Sequence, residues 1–179
     1  MKNLKSISIL FALFSIVGCA SATHAPNVTK GEFADVPYVT RSKTYFMKQP
    51  TAEALAAAKA EGVTTVINLR TAEEMKDVKF DAAATAKTQG LNYYHIPVDA
   101  KAATVSKETL AQIEDTYMKH HSKGEKVIVH CASGQRAAGW FAYHIKTRHQ
   151  ETTDNALKEA AEVGLERPDL VEKVKAAIQ

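Results

Sequence analysis

Two patterns of apolar and polar positions alternate along residues 35–179. Short runs of β-branched and aromatic residues predict strands, and apolar residues recurring every three or four positions predict helices. The predicted strands cover residues 36–40, 43–47, 63–69, 91–98 and 126–130. Predicted helices fill the intervals between the later strands, and two more follow at about residues 152–164 and from Pro168. This order indicates an α/β fold in which a mostly parallel sheet is flanked by helices.

One predicted strand leads through a short loop directly into a helix. Residues 126–130 are apolar and β-branched, and Ala137, Trp140, Phe141 and Ile145 then recur at helical spacing. In such a loop the main-chain N–H groups and the positive end of the helix dipole together favour an anion. The sequence therefore predicts an anion-binding loop at the carboxyl edge of the sheet, where folds of this class bind ligands. The residues of this loop are Cys131, Ala132, Ser133, Gly134, Gln135 and Arg136.

Two side chains of the loop suit nucleophilic chemistry on a bound oxyanion. The amides, the helix dipole and Arg136 favour the thiolate form of Cys131 over the thiol. The planar guanidinium of Arg136 can hold two oxygens of a phosphate at once. A cysteine can also be an inert core residue, and a first-turn arginine can simply face solvent. Their position between a strand end and a helix start, with Gly134 inside the loop, favours the nucleophilic interpretation.

The segment His130-Cys131-x-x-Gly134-x-Arg136 resembles the signature loop of cysteine-dependent phosphatases, with one residue missing. Four residues separate Cys131 from Arg136. This shorter spacing is found in rhodanese-type sulfurtransferases and in the phosphatase-like domain named after beta-lactamase-hydrolase-like proteins. The chain is more similar to the latter domain, because other fragments occur in its order and spacing. Those fragments are Gln49-Pro50, Glu61-Gly62-Val63, Val66 to Arg70, and Tyr94 to Val98.

This resemblance implies a cysteine-phosphatase-like sandwich and assigns roles to the loop. Cys131 would attack the phosphorus of a phosphomonoester and form a thiophosphate, as in tyrosine and dual-specificity phosphatases. Arg136 and the main chain of residues 132–135 would bind the phosphoryl oxygens. His130 would hold the loop and help to keep the cysteine ionised, which is compatible with its being a satisfied core histidine. The expected substrate is a phosphoprotein or a small phosphate ester, and neither a cofactor nor a metal ion is implied.

Asp99 is the expected general acid. It follows the predicted strand 91–98, in the loop where phosphatases of this fold often carry an aspartate. A strand-end aspartate can equally stabilise a turn. Asp77 and Asp81 are weaker candidates in another loop.

Arg70 ends the predicted strand 63–69 and is the expected supporting residue at the same edge. It would either line the pocket and add positive charge there, or pair with Glu73 or Glu74. The sequence leaves these two possibilities open.

Two features make a rhodanese-like sulfurtransferase the main alternative. The short loop suits a persulfide on Cys131 more readily than a tetrahedral phosphate. Ala137 also stands where many phosphatases have Ser or Thr, which helps the thiolate to leave. The predicted helix at residues 81–89, however, lies between sequence fragments that are separated by fewer residues in rhodaneses. This longer separation favours the phosphatase. A non-catalytic anion-binding module is a third possibility.

The first residues predict an export signal. Lys2 and Lys5 precede an apolar run from Ile7 to Val17, which is too short for a membrane span of about 20 apolar residues. Residues 16–19 resemble a bacterial lipobox in which Cys19 would carry a lipid anchor, whereas Ala20-Ser21-Ala22 fits an ordinary signal peptidase. We expect an exported, periplasmic protein, with a membrane anchor if Cys19 is acylated. The expected layout is a signal over 1–22, a linker over 23–34 and a phosphatase-like domain over 35–179.

Charge and cysteine content narrow the functional classes further. Loss of residues 1–22 removes two lysines and no acidic residue, which leaves 21 basic against 20 acidic side chains. The chain has no long basic patch, so nucleic acid is not an expected partner. With Cys19 lipidated or removed, Cys131 would have no partner for an internal disulfide. An unpaired thiol in an oxidising compartment favours a catalytic role.

Overall fold

The computed structural model describes residues 38–39 and 43–179. The expected export signal, the linker, and the ends of the strand predicted at 36–40 lie outside these residues. In the part of the chain that is described, no helix combines the length and the apolar character needed to cross a membrane.

Within the described residues, five strands form one sheet, with the spatial order β1-β2-β5-β3-β4. β1 runs antiparallel to β2, and the β2–β5, β5–β3 and β3–β4 pairs are parallel. This confirms the mostly parallel sheet that the sequence predicts. The strands are β1 (Tyr38–Val39), β2 (Thr44–Met47), β3 (Val63–Asn68), β4 (Asn92–His95) and β5 (Lys126–His130).

The described helices flank this sheet, and most of them begin at a side-chain cap. The helices are α1 (Ala52–Ala60), α2 (Ala72–Met75), α3 (Ala82–Thr88), α4 (Lys107–His121), α5 (Gln135–Arg148), α6 (Thr153–Glu162) and α7 (Pro168–Ala177). Ser, Thr or Asp side chains accept a first-turn N–H of α1, α2, α3, α4 and α6. α5 instead begins at Gly134, which has no side chain to accept those N–H groups. The first amides of α5 are therefore available to the preceding loop or to an anion.

The two faces of the sheet belong to two separate cores. Val127, Val129 and Cys131 contribute to the larger core, together with apolar residues of α4, α5, α6 and α7. Ile128 contributes to the smaller core, with residues of α1 and α3. Because side chains alternate along a strand, His130 lies on the face of Ile128, opposite Cys131. The sequence predicted this separation of His130 and Cys131.

The carboxyl ends of the parallel strands meet at one edge, and main-chain hydrogen bonds continue beyond them. Cys131 donates its N–H to Met47 O at 3.4 Å, and Leu69 donates to His130 O at 2.8 Å. Val98 donates to Leu69 O at 3.0 Å. These bonds align the segments that follow β2, β5, β3 and β4, so the site is assembled on extensions of the sheet.

The strand predicted at 91–98 is shorter in the structure. Pairing of β4 with β3 ends at His95, because beyond it the bonding slips by one residue and Val98 donates to Leu69 O instead of continuing the register. Ile96 still donates to Asn68 O at 2.9 Å, so the chain stays beside β3 until it reaches Asp99.

Candidate active site

The loop between β5 and α5 encloses the sulfur of Cys131. We call residues 131–136 the nucleophile loop. Cys131 is fully buried, and the N–H of Gly134 donates to its Sγ at 3.1 Å. The sulfur thus points into the loop and faces a main-chain donor, as a nucleophile beneath an anion requires.

Gly134 gives the loop its shape. Its φ is 90°, in the left-handed region that residues with a Cβ rarely adopt. A Cβ at this position would have its nearest contacts at 3.8 Å, to the main chain of Met47. Backbone conformation, rather than lack of space, is therefore what requires glycine, as the sequence predicted.

Arg136 turns inward rather than toward solvent. Its Nη1 donates to Glu74 Oε2 at 2.7 Å and to Val98 O at 2.8 Å, and Nη2 donates to Glu74 Oε1 at 2.7 Å. Burial alone would lower the pKa of Arg136, but the hydrogen bonds that it donates to Glu74 and the nearby Cys131 raise the pKa above its usual value. A permanent positive charge therefore lies beside the sulfur.

Glu74 is a site residue that the sequence reasoning did not assign to Arg136. The two oxygens of its carboxylate hold both terminal nitrogens of Arg136. This pairing lowers the pKa of Glu74 to about 2. Glu74 also closes a capping box with Thr71 at the start of α2. The Thr-x-x-Glu spacing is visible in the sequence, and it places a fixed carboxylate at the carboxyl edge of the sheet.

His130 is completely buried behind the loop. Burial lowers its pKa to about 3, so the imidazole is neutral near pH 7. Neither ring nitrogen has a hydrogen-bond partner of good geometry, although the Cys131 main chain lies close enough to influence the ring. A neutral ring supplies no positive charge to Cys131. Of the two roles predicted for His130, charge stabilisation does not fit a neutral ring, and holding the loop stays a prediction.

Arg70 lines a cavity and also forms hydrogen bonds with residues that surround the nucleophile loop. Its Nη1 donates to Gln49 Oε1 at 3.0 Å, and the N–H of Gln49 donates to Ala132 O at 3.4 Å. Its Nη2 donates to the carbonyl of Glu74, not to a carboxylate. The pairing with Glu73 or Glu74 side chains, one of the two alternatives, is therefore not observed. The cavity measures about 410 Å³ and is bounded by the β2–α1 connection and residues 77–80.

Asp99 begins the connection between β4 and α4, and we call residues 99–104 the acid loop. The Asp99 side chain is exposed, and its Oδ1 accepts the N–H of Lys101 at 2.8 Å. It directly follows Val98, whose carbonyl binds Arg136. Asp81, by contrast, caps α3 by accepting the N–H of Ala84 at 2.9 Å, so its carboxylate has a structural partner. Asp77 lines the cavity beside Arg70.

The remaining residues of the nucleophile loop are either exposed at its edge or bonded to another part of the chain. Ala132 and Ser133 are exposed at the rim, where their main chain is open to a ligand. Gln135 turns its side chain away and binds the α6–α7 connection, donating to Gly164 O at 2.6 Å. Among the described residues no group of three or more His, Cys, Asp and Glu side chains could hold a metal ion.

Comparison with known proteins identifies the family. Residues 41–149 match Tc-R-P, described as the DSP-PTPase phosphatase of polymorphic toxin systems. No curated protein matches the chain significantly.

Solved structures of phosphatases share the fold. A cysteine-to-serine variant of P. aeruginosa TpbA in complex with pTyr superposes with a TM-score of 0.67 at 16% identity, covering 88% of this chain and 91% of that one. PTPMT1 in complex with PI(5)P gives 0.65 at 18% identity, covering 76% of this chain and 90% of that one. Tk-PTP in its active form gives 0.64 at 19% identity, covering 75% of this chain and 90% of that one. At these identities the likeness shows the fold.

The family match spans more than half of the chain. It confirms the resemblance to cysteine-dependent, dual-specificity-phosphatase-like domains and does not favour the sulfurtransferase alternative. The chain belongs to the DSP-PTPase phosphatase family Tc-R-P and is a cysteine-dependent phosphoric monoester hydrolase.

Proposed function

We propose that Cys131 is the nucleophile, Arg136 and the nucleophile loop bind the phosphoryl group, and Asp99 is the general acid. The observation that carries this proposal is the position of the Cys131 sulfur. It lies 3.1 Å from the N–H of Gly134, beside a buried guanidinium, at the start of a helix that has no side-chain cap. These groups all stabilise negative charge at the place where phosphoryl oxygens would sit.

The reaction proceeds in two displacements. The Cys131 thiolate attacks phosphorus, the S–P bond forms, and the P–O ester bond breaks as the leaving oxygen takes a proton from Asp99. Water then attacks the thiophosphate and gives a proton to the Asp99 carboxylate. The S–P bond breaks, and inorganic phosphate and the thiolate are released. Ala137 is fully buried where many phosphatases have a hydroxyl, so we expect this second displacement to be the slower one.

The substrates we propose are phosphomonoesters of the tyrosine or dual-specificity type. Structures of the same fold hold pTyr in TpbA and PI(5)P in PTPMT1, which supports testing both a phosphopeptide and an inositol phospholipid. The cavity beside Arg70 is also lined by Gln49, whose N–H donates to Ala132 O of the loop, and it offers room for the part of the substrate beyond its phosphate.

The test pairs two assays on the full chain, hydrolysis of para-nitrophenyl phosphate and transfer of sulfur from thiosulfate to cyanide. Cys131→Ser should lose the hydrolysis completely, and neither protein should transfer sulfur. Cys19→Ser removes the other cysteine of the chain and is the matched control, which should keep full hydrolysis. Hydrolysis that survives Cys131→Ser, or sulfur transfer that is lost with it, would contradict the proposal.

We also propose that the protein is exported to the periplasm and anchored there through a lipid on Cys19. The support is the sequence of residues 1–22, with its two lysines, apolar run and lipobox-like Gly18-Cys19 pair. In cells fed radioactive palmitate, the wild type should be labelled and Cys19→Ser should not. The wild type should be found in the membrane fraction, and Cys19→Ser should be found in the soluble periplasmic fraction. Equal labelling of both proteins, or retention in the cytoplasm, would refute the anchor.

A further inference from the structure

We propose that Lys173, on the last helix, is a positioning residue that holds the acid loop so that Asp99 can protonate the leaving group. The inference rests on the function proposed above and extends it to α6 and α7. Both helices lie beyond residues 41–149, which match the family. They therefore represent a part of this chain to which the family match assigns no role.

The two C-terminal helices are fixed firmly to the helix that follows the nucleophile loop. A Cβ built on Gly139 of α5 would lie 2.9 Å from Cγ2 of Val174 on α7, so these helices are in direct contact. The side-chain carbonyl of Gln135 accepts the N–H groups of Glu166 at 2.9 Å and Arg167 at 3.0 Å. Because Gln135 also donates to Gly164 O, the α6–α7 connection is held at three points by a residue of the nucleophile loop.

Lys173, on the α7 helix, forms a hydrogen bond with the acid loop. Its Nζ donates to Ala100 O at 2.9 Å, and the side chain is only 20% exposed. Asp169, one turn earlier on α7, has a carboxylate oxygen 3.9 Å from the same Nζ. The lysine is thus directed at a single main-chain carbonyl rather than extended into solvent.

Two cations bind main-chain carbonyls of the residues before and after Asp99. Val98 O, in the peptide that immediately precedes Asp99, accepts a hydrogen bond from Arg136 at 2.8 Å. Ala100 O, in the peptide between Ala100 and Lys101, accepts one from Lys173 at 2.9 Å. Holding the chain on both sides of the Asp99–Ala100 segment limits the paths that its backbone can take, and hence the direction of the Asp99 side chain. The exposed carboxylate itself needs this restraint, because proton transfer works only from a defined position.

The leaving group distinguishes a positioning role from a general structural one. Para-nitrophenolate is a weak base that departs without much help, whereas phenolate, with a conjugate acid pKa of about 10, benefits strongly from a proton. Because kcat/KM covers only the steps up to release of the leaving group, a displaced Asp99 lowers kcat/KM mainly for phenyl phosphate. Damage to the fold or to the nucleophile loop lowers kcat/KM for both esters alike.

The experiment measures kcat/KM on both esters for the full-length wild type, Lys173→Met, Lys173→Arg and the control Lys175→Met. We expect Lys173→Met to lose about tenfold on phenyl phosphate and less than about threefold on para-nitrophenyl phosphate. Lys173→Arg keeps a donor for Ala100 O and should restore most of the activity. Lys175→Met makes the same chemical change on the same helix and should behave as wild type. Adding Asp99→Asn to Lys173→Met should cause no loss beyond that of Asp99→Asn alone, since both act on one step.

Several results would overturn the inference. Equal losses on the two esters in a folded Lys173→Met protein would show a structural role, as would losses that simply add to those of Asp99→Asn. Failure of Lys173→Arg to recover phenyl phosphate hydrolysis would also contradict it. A wild type that hydrolyses neither ester would refute the proposed function itself, whereas normal hydrolysis by Lys173→Met would refute only the role of Lys173.

Discussion

The nucleophile loop and the acid loop lie at the same edge of the sheet but are held in different ways. The nucleophile loop is fixed by its own backbone, by the left-handed Gly134, and by the buried Arg136. The acid loop is exposed at Asp99 and is tied down by side chains that come from α5 and α7. The reactive side chain of the first loop is thus buried within it, whereas that of the second is exposed on a backbone held by helices distant in the chain.

This difference matches the two tasks. Stabilising phosphoryl oxygens requires donors that are already in place before the transition state forms, so rigidity is useful there. A general acid must also stand in a defined position, and because Asp99 is exposed, that position depends on side chains that hold the backbone around it. Substitutions in the nucleophile loop should therefore lower the rate equally for all esters. Substitutions in the acid loop should lower the rate most for esters with a poor leaving group.

Replacing Arg136 by lysine should have the largest effect. Lysine cannot hold both oxygens of Glu74 and present a planar donor face to phosphate at the same time, so kcat should fall by about 10³ on either ester. Steady-state kinetics with para-nitrophenyl phosphate and phenyl phosphate measure this. Arg148→Lys, on the same helix but bound to Glu114, is the matched control and should keep its activity. A loss of less than about tenfold would mean that the guanidinium is not a phosphate ligand.

Asp99→Asn should have the next largest effect, and only on one substrate. Without a proton donor, kcat/KM on phenyl phosphate should drop by about 10², while kcat/KM on para-nitrophenyl phosphate should be affected little. Asp77→Asn, the rival carboxylate in the cavity wall, should leave the ratio of the two rates unchanged. If the leaving-group dependence appears in Asp77→Asn instead, the acid lies in the other loop.

The comparison also explains what the sequence could predict. The strand, the loop and the helix from Lys126 to Arg148 are contiguous, and residue types alone indicate the anion site and the need for Gly134. The fold could be predicted for the same reason, because apolar periodicity and short connections are local features of the sequence. The predicted strand 91–98 extends too far, since the register past His95 depends on the position of β3, which is distant in the chain.

What the sequence could not predict are pairings across long separations. Glu74 and Arg136 are 62 positions apart, and Lys173 and Ala100 are 73 apart. Many acidic and basic residues could form such pairs, and only the packing of the helices selects among them. The capping box at Thr71 indicated that Glu74 would be fixed in place, but not which cation it would meet.

Gly134→Ala should show that strain in the nucleophile loop affects catalysis. A left-handed φ opposes a Cβ by about 1–2 kcal/mol, and relieving it shifts the amide that faces Cys131. We expect about a tenfold lower kcat on both esters and a lower free energy of unfolding in urea. Gly62→Ala is the control, because its φ of 83° is similar and its Cβ would meet nothing within 4 Å. It should lose comparable stability and no activity. Equal activity losses in both variants would mean that the effect comes from stability alone.

Glu74→Gln should have the smallest effect on activity and a clear dependence on pH. Arg136 keeps the carbonyls of Leu69 and Val98 as partners, so kcat should fall only about threefold. The carboxylate has a pKa of about 2 in the folded protein against an ordinary value of 4.5. A lowered pKa stabilises the fold fully above about pH 4.5, and this stability is lost as the pH falls toward 2. The side chain is 31% exposed, so solvent screening reduces the contribution to about 1–2 kcal/mol at pH 7.

Urea unfolding of wild type and Glu74→Gln between pH 7 and pH 2.5 checks this. The difference in unfolding free energy should be greatest at neutral pH and should shrink as the wild-type carboxylate takes up its proton. Glu73→Gln is the matched control, since the neighbouring Glu73 side chain is 80% exposed and pairs with Lys76, and an exposed pair contributes little. A pH-independent difference for Glu74→Gln would mean that ionisation of the carboxylate, and hence its pairing with Arg136, does not stabilise the fold. The position of the cation in the nucleophile loop would then be set by its hydrogen bonds to main-chain carbonyls. In the acid loop, by contrast, cations set the position of the main-chain carbonyls.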